Sequence, residues 1–429
     1  VRVSQYLFSH TMRDKTLLYN TLNKSLLMVD RSLARSQIED PASFSESELE
    51  TLYEFECFVN DDYNDNEAAR QRLAAHWDKE KTVEFIIHVT NRCNCQCVYC
   101  YEAGIYGKPI MFDSLAILDS FLCECKLSSL YENASLSFHG GEPSLYPDLV
   151  VALYKVVNKF YPRTQSTMVS NGVLLHTPKV LQALQEVNLK KVLITIDGHR
   201  DIHDKRRPSK TRESSFDNIM LSLEALMEAS IPIHISTNID KANYREIDYV
   251  YEEIIKKYAP NDFYIAKVCS GEQNHYTDCL SDSEFDEIIT DFYTRHGLIS
   301  DGCNDLYEEY FGTFICSSKS RHVLIIDSFG DVYSCISLTG DKRYTMGNIK
   351  DGFNLIKMRM EAYMSDVFSS SCGTCMYLPM CYGGCQLGKL TMEDSQGCPK
   401  KRFDKILPRV LEWKLIKQLN SSPYIKTTE

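Results

Sequence analysis

The sequence has no apolar run that approaches the length of about 18 residues needed to span a bilayer. Its first 20 residues also lack the basic-then-apolar pattern of a secretory signal. Cationic residues are in the minority, since 47 Lys and Arg stand against 59 Asp and Glu and give a formal net charge of −12. Such a charge repels the phosphate backbone of nucleic acids. We therefore expect a cytoplasmic protein that has neither a membrane nor a nucleic acid as its partner.

Cysteine is too dilute for a small disulfide-stapled protein, because the 17 cysteines are about 4% of 429 residues. The number is still high for a reducing compartment, where thiols serve metal or redox chemistry more often than disulfides. Apolar residues at 44% and charged residues at 25% are typical of globular proteins, and the length predicts two to four domains.

The middle of the chain alternates short β-rich apolar runs with amphipathic helical stretches. The runs predicted as strands are 83–90, 134–140, 166–171, 191–197, 232–239 and 263–268. The stretches predicted as helices are 112–127, 145–161, 178–187, 215–230, 244–258 and 281–296. Six consecutive βα units predict an α/β fold with a parallel sheet and right-handed crossovers. A closed barrel and an open sheet both satisfy the pattern, although six units are fewer than the eight of a full barrel.

The two ends of the chain depart from this pattern. Residues 16–29 predict a hairpin that turns near Asn23 and Lys24, and Ser45 predicts the start of a helix followed by an acidic run. We therefore predict a small separate α+β module in residues 1–80.

The segment beyond residue 310 is rich in Cys and Gly and shows little apolar periodicity. A segment with so little core material is expected to need bound metal to fold. The predicted domains are therefore the module 1–80, the α/β domain 81–309 and a Cys-rich domain 310–429.

Three cysteines, Cys93, Cys97 and Cys100, form C-x3-C-x2-C directly after the first predicted strand. The carboxyl end of a strand is where parallel α/β folds place their ligand loops. Three thiolates can hold three irons of a [4Fe-4S] cube and leave the fourth iron open to another ligand. The alternatives are a zinc site that recruits Cys95 and a set of buried thiols.

This loop resembles the radical S-adenosylmethionine (SAM) superfamily, whose motif CxxxCxΦC it matches with Tyr99 as the aromatic residue. Further matches follow the later strands in the family's order. They are GGEP at 140–143, Ser170 with Asn171 and Gly172, Ile196 with Asp197 and Gly198, and His203, Asp204 and Arg207 of HDxxR. Taken singly, GGEP could be a simple turn and HDKRR a solvated charge run. Taken together, they imply a partial (β/α)6 barrel that binds SAM.

The resemblance also implies a role for each matched residue. Those implied to bind the methionyl amine are Gly140, Gly141, Glu142 and Pro143. Tyr99 is implied to contact adenine, and the candidates for the ribose or the carboxylate are Ser170, Asn171 and Arg207, with Asp197 as a further cofactor-binding residue. The implied chemistry is reductive cleavage of SAM to a 5′-deoxyadenosyl radical, which removes hydrogen from an unactivated C–H bond.

The C-terminal cysteines resemble a second arrangement, the SPASM domain, at every position of its pattern CX9–15GX4C, gap, CX2CX5CX3C, gap, C. The resemblance implies an outer auxiliary [4Fe-4S] cluster on Cys372, Cys375, Cys381 and Cys398. It implies an inner one on Cys316, Cys335 and Cys385. Three clusters are therefore expected in all. A zinc ribbon is the alternative for the C-x2-C pairs. Residues 322–335 predict a hairpin that turns at Ser328–Asp331 and brings two of these ligands closer together.

Two positions depart from relatives. Some relatives have an eighth cysteine where this chain has His322. Three interpretations are open: His322 completes the inner cluster, or one iron stays open to water or a substrate thiolate. In the third, the imidazole faces elsewhere in the hairpin. Sulfatase-maturing relatives have an Asp directly after the second SPASM cysteine, whereas Cys335 is followed by Ile336. The seven remaining cysteines are predicted to be structural thiols, and they are Cys57, Cys95, Cys123, Cys125, Cys269, Cys279 and Cys303.

SPASM relatives mostly modify ribosomally made peptides, and the module 1–80 resembles their precursor-recognition domains in position and size. A barrel-closing extension is its other interpretation. We therefore expect a peptide maturase that binds a precursor peptide through its leader, installs a thioether or carbon–carbon crosslink, and takes electrons from a reductant such as flavodoxin or ferredoxin. The enzyme alternative is a formylglycine-forming anaerobic sulfatase maturase. The non-enzyme alternative is an iron–sulfur electron-transfer protein, in which GGEP would have no role.

Overall fold

The computed structural model divides into two compact units. The residues that it describes are 1–102, 114–128, 131–269, 276–298, 316–363, 367–385, 387–388 and 397–421. The barrel unit comprises Lys79–Phe292 and Ser317–Tyr363, and the terminal unit comprises Val1–Asp78, Tyr293–Cys316 and Met364–Glu429. The predicted boundary between residues 309 and 310 and the thiol of Cys303 lie outside the described residues.

The terminal unit begins with five short strands, β1 (Arg2–Val3), β2 (Leu7–Met12), β3 (Lys15–Asn20), β4 (Leu26–Val29) and β5 (Phe58–Val59). Strands β2, β3 and β4 form an antiparallel sheet in that order, and β1 pairs with β5. Between β3 and β4 the chain turns at Lys24, whose φ is +62°. The predicted hairpin is therefore confirmed.

Three helices complete this N-terminal part, α1 (Arg35–Ile38), α2 (Glu46–Glu54) and α3 (Asp65–Lys79). Helix α2 follows Ser45 as predicted, and the structure adds a capping box between Ser45 and Glu48. Helix α3 is not predicted, because its first turn lies inside the acidic run. The negative charges of Asp65 and Glu67 in that turn interact favourably with the positive end of the helix dipole.

The barrel unit contains six parallel strands that follow one another in the sheet, β6 (Thr82–Thr90), β7 (Asn133–Gly140), β8 (Gln165–Ser170), β9 (Leu189–Thr195), β10 (Ile233–Ile239) and β11 (Asp262–Lys267). Each lies within two residues of a predicted strand. The partial (β/α)6 barrel fold is therefore confirmed.

The helices after these strands are α4 (Ser114–Leu127), α5 (Pro147–Phe160), α6 (Pro178–Glu186), α7 (Arg200–Arg206), α8 (Ser215–Glu228), α9 (Glu246–Tyr249), α10 (Lys256–Tyr258) and α11 (Asp282–Arg295). A π-helical turn, Val250–Ile255, joins α9 to α10 inside the single helix predicted over 244–258. Helix α7 is not predicted, since it is short and mostly charged.

Alternate residues of the strands face the helices and form the main core. On β6 these are Phe85, Ile87 and Val89, which pack with apolar residues of α5 such as Leu153. Because side chains alternate along a strand, the residues between them project from the opposite face, into the interior of the barrel. His88 is one of these residues.

Three more strands and a helix extend the barrel unit, β12 (Val323–Ile326), β13 (Asp331–Tyr333), β14 (Gly347–Asn348) and α12 (Phe353–Tyr363). Strand β12 pairs in parallel with β6, and it forms the predicted antiparallel hairpin with β13. The expectation that the segment beyond 310 has too little core is wrong for this part. Leu324, Ile326 and Val332 from the hairpin and Phe353 and Ile356 from α12 belong to the main core.

The terminal unit ends with helices α13 (Leu378–Cys381) and α14 (Lys400–Ser421). Leu378 packs with Tyr6 and Ala69 in one apolar cluster, so the two ends of the chain share a core. The Thr21 hydroxyl donates a hydrogen bond to the carbonyl oxygen of Met376 at 2.5 Å across the same contact. None of the helices in the described ranges is long and apolar enough to cross a bilayer.

Candidate functional site

The loop that carries Cys93, Cys97 and Cys100 is held by backbone hydrogen bonds to the segment at the end of α7. The amide of Val98 donates to the carbonyl oxygen of Arg206 at 2.9 Å, and the amide of Gln96 donates to that of Pro208 at 2.9 Å. A third bond runs from the amide of Lys210 to the carbonyl oxygen of Asn94 at 2.8 Å. The three thiols therefore project from an anchored loop.

The thiols of this loop differ in their surroundings. Cys93 Sγ accepts hydrogen bonds from the Cys95 amide at 3.4 Å and from Asn171 Nδ2 at 3.6 Å. Hydrogen bonding by Cys95 lowers the pKa of Cys93 to about 7. Burial raises the pKa of Cys97, although the nearby guanidinium of Arg207 opposes that rise. The loop thus offers hydrogen bonds and positive charge to bound thiolates.

No three Cys, His, Asp or Glu side chains converge on one metal position among the residues that the structure describes. A cubane cluster does not require such convergence, because each cysteine binds a different iron of the cube. Three thiols on one anchored loop, with a fourth iron left open, fit a [4Fe-4S] cluster in the chemistry of their donors.

The two glycines of GGEP allow the end of β7 to lie directly against the cysteine loop. A Cβ on Gly140, whose φ is +116°, would lie 2.3 Å from the carbonyl oxygen of Thr90. A Cβ on Gly141 would lie 2.4 Å from that of Arg92. The amides of Gly141 and Glu142 donate to these same two oxygens at 2.7 and 2.9 Å. Only glycine fits either position, which explains the pair of glycines.

Glu142 is a fully buried carboxylate that receives hydrogen bonds from neutral groups. One oxygen accepts from the Ser144 and Ser170 hydroxyls at 2.6 and 2.8 Å, and the other accepts from the Asn171 amide at 2.7 Å. Burial raises its pKa, and these donors oppose the rise. In the described part of the chain no cationic side chain pairs with Glu142, so a ligand ammonium group fits the charge of this site.

Tyr99 lies at the centre of a buried network that joins three predicted site residues. Its hydroxyl donates to Asp197 Oδ2 at 2.5 Å and accepts from Arg207 Nη1 at 2.6 Å. Asn238, at the end of β10, donates to the same hydroxyl at 3.3 Å. None of the sequence motifs assigns a role to Asn238. Tyr99, Asp197 and Arg207 are thus brought together, although the sequence places them up to 108 residues apart.

The other two residues of HDxxR hold the backbone around this network. His203 Nδ1 accepts a hydrogen bond from the Asp197 amide at 3.2 Å, at the end of β9. Asp204 accepts from the Ser215 hydroxyl and the Phe216 amide, both at 2.9 Å, and so caps the start of α8. The motif is therefore a buried framework and not a solvated charge run.

Two charged residues beside this network are missed by the motif comparison. Arg206 places its guanidinium carbon 4.9 Å from the centre of the Tyr99 ring, and its Nη1 lies 2.7 Å from Asp240 Oδ2. The Tyr276 hydroxyl donates to the same carboxylate oxygen at 2.5 Å. The available signal was an acidic residue at the end of a strand, since Asp240 directly follows one predicted strand and Asp197 ends another.

The four cysteines predicted to hold the outer cluster lie in the terminal unit. Tight turns hold them, since the Cys375 amide donates to the Cys372 carbonyl oxygen at 2.9 Å and a Cβ on Gly384 would lie 2.1 Å from the Gly397 oxygen. Burial raises the pKa of Cys381 to about 11, and the Cys375 and Cys372 thiols add to that rise. The first three cysteines are thus neighbours, and the Gly384 contact brings the segment before Cys398 beside them.

The cysteines predicted for the inner cluster are divided between the units, with Cys335 in the barrel unit and Cys316 and Cys385 in the terminal unit. Although Tyr101 is 41% exposed, desolvation of its hydroxyl raises its pKa, with further contributions from the charges of Glu102, Cys100 and Cys335, all within the barrel unit. Tyr101 therefore stands near thiols of two predicted cluster sites. The ring of His322 packs edge-on against Tyr131, with ring centres 5.6 Å apart.

The cysteines without a predicted ligand role occupy mixed environments. Cys57, Cys95 and Cys125 are buried, and Cys57 and Cys125 belong to apolar cores. Cys123 and Cys279 are half-buried, and Cys269 is exposed. Burial in an apolar core, as expected of a structural thiol, is thus found for Cys57 and Cys125, whereas Cys269 is exposed.

Comparison with known proteins identifies related sequences and folds. Residues 87–254 match the sequence profile described as Radical SAM superfamily. A cysteine-type anaerobic sulfatase-maturating enzyme of Clostridium novyi is 24% identical over 340 residues, which are 70% of this chain and 86% of that protein.

Two solved structures share the fold. Native anSMEcpe with bound AdoMet and the Cp18Cys peptide superposes with a TM-score of 0.60 at 20% identity, over 78% of this chain and 99% of that one. Streptococcus suis SuiB bound to its precursor peptide SuiA superposes with a TM-score of 0.56 at 16% identity, over 93% of this chain and 100% of that one.

Proposed function

We propose, from the premise that this chain carries a radical SAM domain in residues 87–254, that it is a peptide maturase. It removes a hydrogen atom from a ribosomally made precursor peptide and installs a thioether or carbon–carbon crosslink. The observation that carries the proposal is the extent of the match to SuiB, which covers 93% of this chain. About 7% of the 429 residues, or roughly 30, are therefore unmatched. That is fewer than the 80 residues of the N-terminal module, so part of this module has a counterpart in SuiB.

The residues of the barrel unit fit the two groups that the proposed activity requires. Cys93, Cys97 and Cys100 would hold the [4Fe-4S] cluster, and Glu142 would bind the methionyl ammonium of SAM. When bound, these groups supply a 5′-deoxyadenosyl radical for removal of hydrogen from the substrate. The hydrogen-bonded network of Tyr99, Asp197 and Arg207 orients one wall of the site.

The remaining cysteines extend the proposal to three [4Fe-4S] clusters in all. Cys372, Cys375, Cys381 and Cys398 supply four thiolates, enough for a complete outer cluster. The inner set has three, and either His322 or a cysteine of the peptide supplies its fourth ligand. A soluble reductant such as flavodoxin or ferredoxin delivers the electrons.

Strand β4 is the proposed docking edge for the leader of the precursor. It is the last strand of the three-stranded sheet, and in the described part of the chain no strand pairs with its outer side. The Asn20 amide donates to the Ser25 carbonyl oxygen at 3.0 Å. Because hydrogen-bonded pairs alternate along antiparallel strands, the amides of Leu26 and Met28 point away from β3. They are free to pair with an added strand.

Point substitution tests this docking edge better than deletion, because the module shares its core with the C-terminal segment. Proline is tolerated on the solvent side of an edge strand, where it removes only the outward amide. We expect Met28→Pro to weaken binding of the leader peptide by tenfold or more, measured by calorimetry, while Met28→Ala binds normally. Equal affinity of the two variants would place the leader elsewhere.

The second candidate function is formation of formylglycine in a sulfatase. The relationship to the Clostridium novyi sulfatase-maturating enzyme favours it. The presence of Ile336 directly after Cys335, in place of an acidic residue, weighs against it. An electron-transfer protein is disfavoured because the buried carboxylate of Glu142 and its donors have no purpose there.

The deciding experiment offers two peptides to the anaerobically reconstituted protein with SAM and dithionite. One is a short peptide taken from an open reading frame that neighbours the gene, and the other is a cysteine-containing sulfatase peptide. A maturase removes two hydrogen atoms from the first for each crosslink, seen by mass spectrometry. An aldehyde in the second, trapped by a hydrazine reagent, would instead establish the sulfatase maturase. Modification of neither peptide would reject both functions.

A further inference from the structure

Two histidines lie on the interior face of the barrel, next to the GGEP segment. His88 on β6 and His139 on β7 are partners in the parallel register of the two strands. Their neighbours Ile87 and Phe138 pack in the main core on the other face of the sheet. Because side chains alternate across a strand, both imidazoles project into the barrel. Neither residue takes part in the network around Glu142 or in that around Tyr99.

The two imidazoles are held side by side and neutral. Their ring planes are 13° from parallel, with centres 6.2 Å apart. Burial lowers the pKa of His88 to about 3 and that of His139 to about 4. A neutral imidazole has one nitrogen that donates and one that accepts. What the pair can bind therefore depends on which nitrogen carries the proton.

One ring nitrogen of His139 is paired with Ser137. The Thr167 hydroxyl donates to Ser137 Oγ at 2.8 Å, and Ser137 Oγ lies 2.9 Å from His139 Nε2. The hydroxyl proton of Ser137 can donate to Nε2, which places the ring proton of His139 on Nδ1. Nδ1 makes no hydrogen bond to any residue in the described ranges, and His139 is partly exposed.

His88 supports the ring of His139 from behind. It is 1% exposed, and its Nδ1 lies 3.3 Å from Glu102 Oε1, on the segment that follows the cysteine loop. Ser137 thus orients the ring of His139, and Glu102 lies beside that of His88. Nδ1 of His139 stands one residue before Gly140, where the proposed SAM site begins, and within the described part of the chain it is open to a ligand.

We propose that His139 is a substrate-binding residue, and that its Nδ1–H donates a hydrogen bond to a peptide carbonyl oxygen of the substrate beside the carbon that loses hydrogen. This inference rests on the proposed function. A neutral donor on the interior face of the barrel suits a neutral acceptor, since a substrate carboxylate would be better paired with an arginine or lysine. A peptide carbonyl is the neutral acceptor that every peptide substrate carries.

The test compares three variants of the reconstituted protein, using whichever of the two peptides above the wild type modifies. His139→Phe keeps a ring beside His88 but has no donor, whereas His139→Asn places an amide N–H near the position of Nδ1. His234→Phe is the matched control, because His234 lies near the start of β10 and pairs with Asp262 at 3.1 Å. The measurements are kcat/KM for the peptide, the affinity for SAM, and the ratio of 5′-deoxyadenosine to modified peptide.

We expect His139→Phe to lower kcat/KM for the peptide about tenfold, the effect of losing one buried hydrogen bond. It also raises the ratio of 5′-deoxyadenosine to product, because a misplaced substrate wastes radicals. Affinity for SAM stays unchanged, His139→Asn recovers most of the loss, and His234→Phe behaves as the wild type. This pattern separates hydrogen bonding from ring packing.

Three results would overturn the inference while leaving the proposed function intact. They are normal peptide turnover by His139→Phe, a loss of SAM affinity as large as the loss of turnover, and a defect in His139→Asn as severe as in His139→Phe. If the wild type modifies neither peptide, the proposed function fails and this inference fails with it. Iron content and the melting temperature of each variant identify any variant that has not folded.

Discussion

The cysteine loop of the barrel unit and the cysteine turns of the terminal unit are organised in different ways. In the barrel unit, the side chains around the loop form a complete hydrogen-bonded framework of their own, as the four bonds to Glu142 show. In the terminal unit, tight backbone turns such as that of Cys372 surround the thiols, beside a small apolar cluster. The first site is therefore built before its ligands arrive, whereas the second depends on them.

The largest expected effect comes from replacing Cys93, Cys97 and Cys100 together with alanine. We expect SAM cleavage to disappear and bound iron to fall by about four from a total of about 12, the content of three cubane clusters. The iron bound by the terminal unit should remain, because the cysteines of that unit are not substituted. Anaerobic iron analysis and chromatography of 5′-deoxyadenosine measure both quantities.

Cys123→Ala is the control, since this half-buried thiol on α4 has no predicted ligand role. It should keep all of the iron and all of the activity. A protein in which zinc predominates over iron would contradict the assignment of both regions.

A tenfold to hundredfold effect is expected from Glu142→Gln. The amide keeps the shape of the carboxylate and can still accept from Ser170, but it loses the charge that attracts an ammonium group. A charge-assisted hydrogen bond contributes roughly 1.5–3 kcal/mol, so affinity for SAM should fall about 10- to 100-fold. Equilibrium dialysis with labelled SAM measures it.

Glu132→Gln supplies the control, because Glu132 is exposed and lies just before β7. Unchanged SAM affinity in Glu142→Gln would mean that the buried carboxylate only supports the fold. Iron content should remain normal in both variants, which separates binding of SAM from assembly of the cluster.

Removal of iron should affect the two units unequally. We expect hydrogen exchange in residues 367–385 to accelerate at least tenfold after chelation, because turns that lose their metal keep few other contacts. Exchange in β6–β9 should change little, since these strands lie in the main core. Mass spectrometry of peptides from the holo and apo proteins measures both. Equal acceleration in the two regions would remove the distinction between them.

The smallest effect concerns pH and lies in the barrel unit alone. Burial raises the pKa of Asp327 from 3.8 to about 6 in the turn between β12 and β13. The folded state therefore holds a proton that the unfolded state releases between these two values. The free energy of unfolding should fall by at most about 3 kcal/mol as pH rises from about 4 to 6, and it should then remain level.

Asp327→Asn should remove this slope, because the amide oxygen can still accept from the Phe329 and Asp331 amides but cannot ionise. Thermal unfolding of the holo protein at pH 5 and pH 7 provides the measurement. A variant with the same slope as the wild type would assign the titration to another group.

Local periodicity was sufficient to predict the βα units, and family motifs were sufficient to predict that Tyr99, Asp197 and Arg207 belong together. Contacts that join distant parts of the sequence outside these motifs were not predictable. Nothing in residues 323–326 indicates that this strand pairs with β6, since the run is short and its partner lies more than 230 residues earlier. Arg206 and Asp240 escaped notice because a buried ion pair has no periodic signature.

The shared core of the chain ends has a consequence for synthesis on the ribosome. Tyr6 and Ala69 are made first, but their partner Leu378 follows roughly 300 residues later. At a translation rate of about 5–20 residues per second, about 15–60 s pass between synthesis of the N-terminal part and synthesis of Leu378. During this interval the apolar surface around Tyr6 is uncovered and available to chaperones. Slow codons late in the gene would lengthen that exposure, so the yield of folded protein depends on how quickly the last segment is translated.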